Sequence, residues 1–279
     1  MTDSAGTTLH AASREALATA EQRLGEVLGD PGANPAVVGE ELYSFAHLLG
    51  SEIRLRRAVA DASSDPAARQ GLVRGLLDGK VSEPTLQVLD TVVTGRWSKP
   101  RELLDGLTAL AASALLQGAE REGNLETVEQ ELFSLARVLT DQPRLESVLA
   151  DRTAPTEAKR RLVRELFTGK LTSVTQTMLE QAAARPRGRA VANALDKLAQ
   201  QAAARRDRSV AHVVTPKELS EQQREALAER LRRIYGRPIA VHVEVRPDLI
   251  GGLLVKVGDE VIDGSAAGRL RALQGELTR

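Results

Sequence analysis

The segment of this sequence that most resembles a chemical site is a short run of glycine and lysine. Gly75 and Gly79 are followed by Lys80, as in a phosphate-binding loop. Such a loop has four residues between its glycines and a Ser or Thr after the lysine. Here only three residues separate the glycines, and Val81 follows the lysine. The pattern predicts a helix end with Gly79 as a left-handed cap, not a nucleotide site.

The residues that bind metals in proteins are few and scattered. The chain has no cysteine and four histidines. His242 and Glu244 alternate with apolar residues, so both would lie on one face of a strand. A catalytic zinc site needs three protein ligands, and no third one is near in the sequence. A solvated strand face is the expected structure, and we predict no catalytic residues, no metal and no cofactor.

One short segment is strongly basic, although the net charge of the chain is zero. Residues 185–208 carry seven positive and two negative side chains, from Arg185 to Arg208. This stripe could bind an acidic partner or nucleic acid, as in a helical regulatory protein. It could equally be a helix face on which arginine stems cover apolar surface. No aromatic residues are interleaved to stack on bases, which favours the second interpretation.

The composition favours helices and a location outside the bilayer core. Hydrophobic residues make up 42% of the chain but aromatic residues only 2%, so the cores consist of Leu, Val and Ala. Trp97 is the only tryptophan, and we expect it to anchor local packing. The longest uncharged helical stretch, residues 106–119, is shorter than the roughly 20 residues of a membrane span. The N-terminus lacks the pattern of a signal peptide.

The sequence contains one stretch of itself twice, 90 residues apart. Residues 41–90 match residues 131–180 at 18 of 50 positions without a gap. A period this long is the size of a small domain rather than a solenoid repeat. The chain is therefore predicted to contain two related helical bundles, residues 1–111 and 112–208, before a third domain, residues 209–279.

Each copy has the apolar periodicity of packed helices. Residues 132, 135, 136 and 139 form one stripe, repeated at residues 42, 45, 46 and 49. The next long helix is predicted to bury Leu72, Val73 and Leu76 in the first copy and Leu162, Val163 and Leu166 in the second. The second copy is expected to open with a helix over residues 114–122, ending at Gly123.

The last 70 residues predict a small αβ domain. Residues 210–214 and 239–245 alternate like strands, and a capping box at Ser220 and Gln223 opens a helix between them. Leu227, Leu231 and Ile234 are expected on the buried face of that helix. Two further strands and a closing helix over residues 265–277 follow, with antiparallel pairing expected from the short connections. The fold class is α+β, mainly α.

The C-terminal segment resembles the end of the ATP synthase delta subunit, the family that includes the mitochondrial oligomycin-sensitivity-conferral protein. The resemblance covers residues 112–279, with Arg246 where the family usually has aspartate. The residues that carry it are Ile250, Gly251, Gly252, Gly258, Asp259, Ile262, Asp263, Gly264 and Ser265. With its additional N-terminal copy, the chain resembles the longer bacterial variant of this subunit.

The resemblance implies a non-catalytic stator protein in the peripheral stalk of a proton-driven rotary ATP synthase. Its helical domain would bind the N-terminal helices of the alpha subunits on the catalytic head, and its C-terminal domain would bind the b subunit. The protein would then lie at the cytoplasmic face of the cell membrane without spanning it. Nucleic acid would not be a partner, unlike in the alternative of a regulatory protein that uses the basic stripe.

Overall fold

The protein is described here from a computed structural model. The described residues are 9–151, 153–184, 190–208, 210–235, 239–247, 249, 251–257 and 260–263. The chain divides into two compact units, Met1–Leu198 and Ala199–Arg279. The order of helices and strands confirms the predicted α+β, mainly α fold class, with a small mixed sheet near the C-terminus.

Helices dominate the first unit. In the described residues they are α1 (Ala11–Gly29), α2 (Pro35–Ser51), α3 (Ile53–Ala60), α4 (Pro66–Leu77), α5 (Glu83–Thr94), α6 (Pro100–Arg121), α7 (Leu125–Asp141), α8 (Pro143–Ala150), α9 (Thr156–Phe167), α10 (Ser173–Ala184) and α11 (Val191–Arg208). Helices α7 to α10 have the same lengths as α2 to α5, in the same order. Each helix of the second series begins and ends 90 residues after its counterpart in the first. The sequence repeat is thus also a structural repeat.

Helix α6 serves both copies. It contacts α1 and α2 of the first copy and α7 and α10 of the second. Moved by 90 residues, α1 would occupy residues 101–119, which lie within α6. The second copy therefore begins at Pro100, before the residues 114–122 predicted for its first helix. The predicted domain boundary between residues 111 and 112 falls in the middle of α6, where Ala111 and Ala112 are both buried.

The predicted core stripe of α2 and α7 is confirmed. Leu42 and Leu49 of the first copy are fully buried, as are Leu132 and, within 1%, Leu139 of the second. These residues recur at three- and four-residue intervals, so they line one side of each helix. The two bundles are built around the same positions of the repeat.

The predicted core of α4 and α9 is wrong in part. Leu72 is 43% exposed and Leu166 is 38% exposed, and Leu76 and Leu162 are only half-buried. Val73 and Val163 are fully buried, as predicted. In α4 the buried line runs through Arg69, Val73 and Leu77, each four residues after the last. The equivalent buried residues of α9 are Lys159 and Val163.

The first residue of each buried line is a cation, Arg69 or Lys159. It can be buried because it donates hydrogen bonds to backbone carbonyl groups. Arg69 donates from Nη1 to the carbonyl oxygen of Gly95 at 3.1 Å. Lys159 donates from Nζ to the carbonyl oxygen of Ala183 at 3.1 Å. Both acceptors lie at the C-terminal end of the neighbouring helix, where carbonyl groups lack partners within the helix. A charged residue can therefore occupy a buried position that the apolar pattern assigns to leucine.

Apart from the end of α11, which extends past Leu198, the described part of the second unit contains a four-stranded sheet and one further helix. The elements are β1 (Val210–Thr215), α12 (Glu221–Tyr235), β2 (Ala240–Val245), β3 (Leu254–Val257) and β4 (Glu260–Asp263). The strand order is β2-β1-β3-β4. Strand β3 pairs antiparallel with β1 and β4, as predicted, but β1 and β2 are parallel. The expectation of antiparallel pairing fails there because α12 carries the chain back across the sheet.

One face of the sheet packs on α12. The core of this unit contains Ala211, Val213, Val255 and Val257 of the sheet and Leu231 of the helix. Leu227 and Tyr235 pack against it, one turn before and after Leu231. Ile234, predicted on this face, is 65% exposed. The capping box is confirmed, because Gln223 N donates to Ser220 Oγ and Ser220 N donates to Gln223 Oε1.

Candidate interaction surfaces

The glycine and lysine segments are helix ends. Gly79 and Gly169 have φ angles of +69° and +71°, the left-handed conformation of a C-cap. Lys80 Nζ donates to the carbonyl oxygen of Leu76 at 2.9 Å, and Lys170 Nζ donates to that of Leu166 at 3.1 Å. Each lysine thus binds the C-terminal carbonyls of its own helix, where a cation also interacts well with the helix dipole. The C-cap interpretation is confirmed in both copies.

The histidines of the sheet lie side by side. His212 and His242 are paired across β1 and β2, with ring centroids 6.0 Å apart. Glu244 lies on the same face and pairs with Arg246, with 3.4 Å between Oε1 and Nε. Within the described residues, no group of three or more His, Asp or Glu could hold a metal ion. The exposed strand face predicted for His242 and Glu244 agrees with this arrangement.

Trp97 is a packing anchor, as expected. Its ring is buried, and its Nε1 donates to the carbonyl oxygen of Val92 at 2.8 Å. The ring lies so close to Gly106 of α6 that a Cβ there would be 2.3 Å from Cη2. Trp97 therefore fixes the connection from α5 to the start of α6.

The basic stripe is described only in part. Arg185, Arg187 and Arg189 lie outside the described residues. Arg205 and Arg206 are half-buried on α11, and Arg206 Nη2 lies 3.9 Å from Asp207 Oδ1. Half-buried arginines agree with stems that cover apolar surface.

A carboxylate on α2 holds the start of α5, and its counterpart on α7 holds the start of α10. Glu41 accepts hydrogen bonds from Ser82 N at 3.0 Å and from Ser82 Oγ at 2.7 Å. Glu131 accepts equivalent bonds from Thr172 N at 3.0 Å and from Thr172 Oγ1 at 2.7 Å. A carboxylate at a helix N-terminus satisfies free N–H groups and is favoured by the helix dipole. The recurrence of Glu at positions 41 and 131 was the sequence signal for this contact.

An ion pair between α4 and α5 recurs between α9 and α10. Arg74 pairs with Asp90 in the first copy, and Arg164 donates to Glu180 at 2.9 Å in the second. Burial alone would raise the pKa of Glu180, but hydrogen bonds from Arg164 and Gln176 outweigh it and lower that pKa. The arginine is identical in the two copies while the acid changes from Asp to Glu. The polar contacts of the bundle are therefore repeated along with its core.

The C-terminal motif surrounds the turn between β2 and β3. Gly251 and Gly252 have φ angles of +69° and +80°, which a residue with a Cβ rarely adopts. Ile262 and Asp263 lie in β4, next to β3. Ile250, Gly258, Asp259, Gly264 and Ser265 lie outside the described residues, as does the predicted closing helix.

Arg246 begins this turn, and it is the position at which the sequence departs from the expected motif. Its backbone N donates to the carbonyl oxygen of Thr215 at 2.7 Å and so extends the pairing of β1 and β2 by one residue. This contact uses only the backbone, so the departure at position 246 leaves the strand connection intact.

Comparison with known proteins identifies the family. Residues 111–277 match the sequence pattern of the ATP synthase delta (OSCP) subunit. ATP synthase subunit delta of Corynebacterium diphtheriae is 44% identical over 96% of this chain and its own full length. The subunit of Nocardia farcinica is 44% identical over the same shares. The chain belongs to the ATP synthase delta (OSCP) family.

Family membership confirms two predictions. The chain is a peripheral-stalk subunit of an ATP synthase, and it is a non-catalytic stator component of that enzyme. A chain from the cryo-EM structure of the Toxoplasma gondii mitochondrial ATP synthase hexamer matches at 27% identity, over 60% of this chain and 95% of its own, with a TM-score of 0.30. Among the described residues, no helix is long and apolar enough to cross a membrane.

Proposed function

We propose that this subunit joins the catalytic head of the ATP synthase to the peripheral stalk. The helical unit binds N-terminal helices of the alpha subunits, and the sheet-containing unit binds the b subunit at the cytoplasmic face of the membrane. The observation that carries this proposal is the 44% identity to ATP synthase delta subunits over 96% of the chain. The match spans both helical copies and the C-terminal unit.

The construction of the helical unit suits a stator. A stator must resist the torque of the rotor, which requires helices that do not slide or swing under load. Helix α6 belongs to both bundles, so no flexible linker separates them. The carboxylates of Glu41 and Glu131 fix α2 to the start of α5 and α7 to the start of α10.

Of the two bundles, the second is proposed to make the main contact with the head. The family pattern covers residues 111–277, which include most of the second bundle and the C-terminal unit. The first bundle lies outside this match and would reinforce the stalk. The predicted boundaries at residues 111 and 208 remain part of this proposal, with α6 shared across the first of them.

Two measurements test the proposal. A tagged full-length chain, isolated from solubilised membranes, should bring down the alpha, beta and b subunits together. Hydrogen exchange of the purified chain with an alpha-subunit N-terminal peptide should then show protection in α7 to α11, and a scrambled peptide should show none. Loss of all co-purification would contradict the stalk role, whereas protection confined to α1 to α5 would reverse the roles of the two bundles.

A further inference from the structure

Helix α11 carries the chain from one compact unit into the other. It spans Val191–Arg208, and the division between the units falls inside it, between Leu198 and Ala199. Any force that the backbone carries between the units therefore passes through α11. The contacts that hold the first part of this helix in the helical unit determine how well such a force is resisted.

The apolar contacts of this part of α11 involve few side chains. Within the first unit its buried residues are Val191, Ala192 and Leu195. The alanine buries only a methyl group, so it contributes little hydrophobic stabilisation. Hydrophobic contacts are also non-directional, so they do not by themselves fix the position of a helix along its axis. A directional contact is needed for that.

A carboxylate of α8 supplies this contact. Glu146 accepts a hydrogen bond from Val191 N on Oε1 at 2.5 Å and one from Ala192 N on Oε2 at 3.2 Å. The N–H groups in the first turn of a helix lack acceptors within the helix, and the helix dipole favours a negative charge beside them. Ala190, which precedes α11, has no side-chain oxygen to serve as a cap. The cap therefore comes from another helix, and it joins α8 to the start of α11.

The corresponding position of the first copy has the opposite charge and another role. The counterpart of Glu146 is Arg56, which donates from Nη1 to the carbonyl oxygens of Leu49 and Gly50, both at 3.3 Å. Arg56 thus binds the end of α2. Helix α6, the counterpart of α11, begins with Pro100, which has no N–H to donate. The acid occurs in the copy whose last helix leads into the second unit.

We propose that Glu146 is a positioning residue of the stator, which fixes α11 to the second bundle when the stalk is under load. Its two oxygens hold two successive N–H groups, so the contact resists both rotation of α11 about its axis and displacement along it. Loss of the charge should leave the bundle folded but should free the first turn of α11. The inference rests on the proposed function of the chain as the link between the head and the stalk.

Hydrogen exchange of the isolated chain tests the contact. Glu146→Gln keeps the shape of the side chain but removes its charge and one acceptor oxygen. The amides of Val191 and Ala192 should exchange about tenfold faster in this variant, as expected when hydrogen bonds to a charged acceptor are weakened. Glu157→Gln is the matched control, because Glu157 is exposed and pairs with Arg160 of its own helix. It should leave exchange in α11 unchanged.

ATP synthesis by the assembled enzyme separates positioning from folding. In membrane vesicles energised by respiration, Glu146→Gln should bring down as much alpha and b subunit as the parent chain but should make less ATP per assembled enzyme. A defect in folding would instead lower assembly and ATP synthesis in proportion. Adding Ala190→Asp gives α11 a cap of its own. It should slow the exchange of the Ala192 amide again without restoring ATP synthesis.

Three outcomes would overturn the inference. They are unchanged exchange in α11 of Glu146→Gln, unchanged ATP synthesis per assembled enzyme, and full recovery of that synthesis by Ala190→Asp. The last result would make Glu146 a helix cap and nothing more. Failure of the parent chain itself to co-purify with the alpha and b subunits would instead count against the stalk role, so the two hypotheses can be told apart.

Discussion

At the scale of single residues, leucines of similar appearance in the sequence differ in burial. Leu132 of α7 is fully buried, whereas Leu166 of α9 is 38% exposed. Leu132→Ala should therefore lower the free energy of unfolding by about 2–5 kcal/mol, as expected when a buried side chain is cut back. Leu166→Ala should change it by less than about 0.5 kcal/mol, as is usual at surfaces. Chemical denaturation of the purified chain would measure both, and equal losses would contradict the assignment.

A buried carboxylate links the starts of α1 and α6. Glu102 is buried, and its Oε1 lies 2.5 Å from His10 Nδ1. Burial by itself would raise the pKa of Glu102, but hydrogen bonds from Ser13 and His10 and the charge of His10 outweigh it and lower that pKa. The unfolded chain therefore takes up a proton at this site at a higher pH than the folded chain.

This difference in pKa between the folded and unfolded chain predicts that the stability of the fold depends on pH. The stabilisation from ionised Glu102 should be complete above the unfolded pKa of about 4.3 and lost as the pH falls through the lower folded value. Glu102→Gln should therefore be less stable than the parent chain at pH 7, and the gap should close in acid. Urea denaturation across this range would measure the gap. A gap of constant size would mean that the ionisation of Glu102 does not stabilise the fold.

At the scale of helices, the close approach of α2 and α6 depends on Gly39. Gly39→Ala should cost about 1–3 kcal/mol, because the new methyl group meets the Leu115 side chain and a backbone oxygen. Gly25 of α1 is the matched control, since a Cβ there has nothing within 4 Å. Gly25→Ala should stabilise the helix by about 0.5–1 kcal/mol. Thermal unfolding of the two variants should give shifts of opposite sign.

The elements that the sequence predicts well are those set by local patterns. The stripe through Leu42 and Leu132 was predictable because apolar residues at helical spacing fill it. The buried line through Arg69 and Lys159 was not, because their burial depends on carbonyl partners about 25 residues away. The parallel pairing of β1 with β2 was missed because the span that includes α12 was read as a short connection.

For the candidate surfaces, the sequence identified the family but not the asymmetry of the repeat. The motif around Gly251 and Gly252 was sufficient for recognition, since it is a continuous run of residues. Phe133 and Tyr43 look equivalent in the aligned copies. Only the packing of α6 on α2 shows that one ring is covered and the other is open.

At the scale of the whole molecule, we expect the second bundle to depend on residues of α6 that precede the predicted domain boundary at residue 112. Leu103 and Leu110 of α6 are fully buried, and their counterparts in α1, Ser13 and Ala20, are buried in the first bundle. A chain that starts at residue 112 lacks both leucines. It should lose cooperative unfolding, since two losses of about 2–5 kcal/mol each are comparable with the stability of a whole domain.

A chain that starts at Pro100 is the control for this truncation, because it keeps α6 complete. Circular dichroism should show a cooperative thermal transition for the chain from Pro100 and a broad one or none for the chain from residue 112. If the two chains melt alike, the first half of α6 belongs to the first bundle alone.

The shared helix also constrains how this protein can change in evolution. Loops between helices tolerate inserted and deleted residues. Helix α6 does not, because it packs in both bundles. One residue added near its middle would turn one bundle relative to the other by about 100° and move it about 1.5 Å along the axis. The number of residues in α6 therefore fixes the rotation and the distance of one bundle relative to the other. Relatives that have both bundles should vary in the length of their loops and not in the length of this helix.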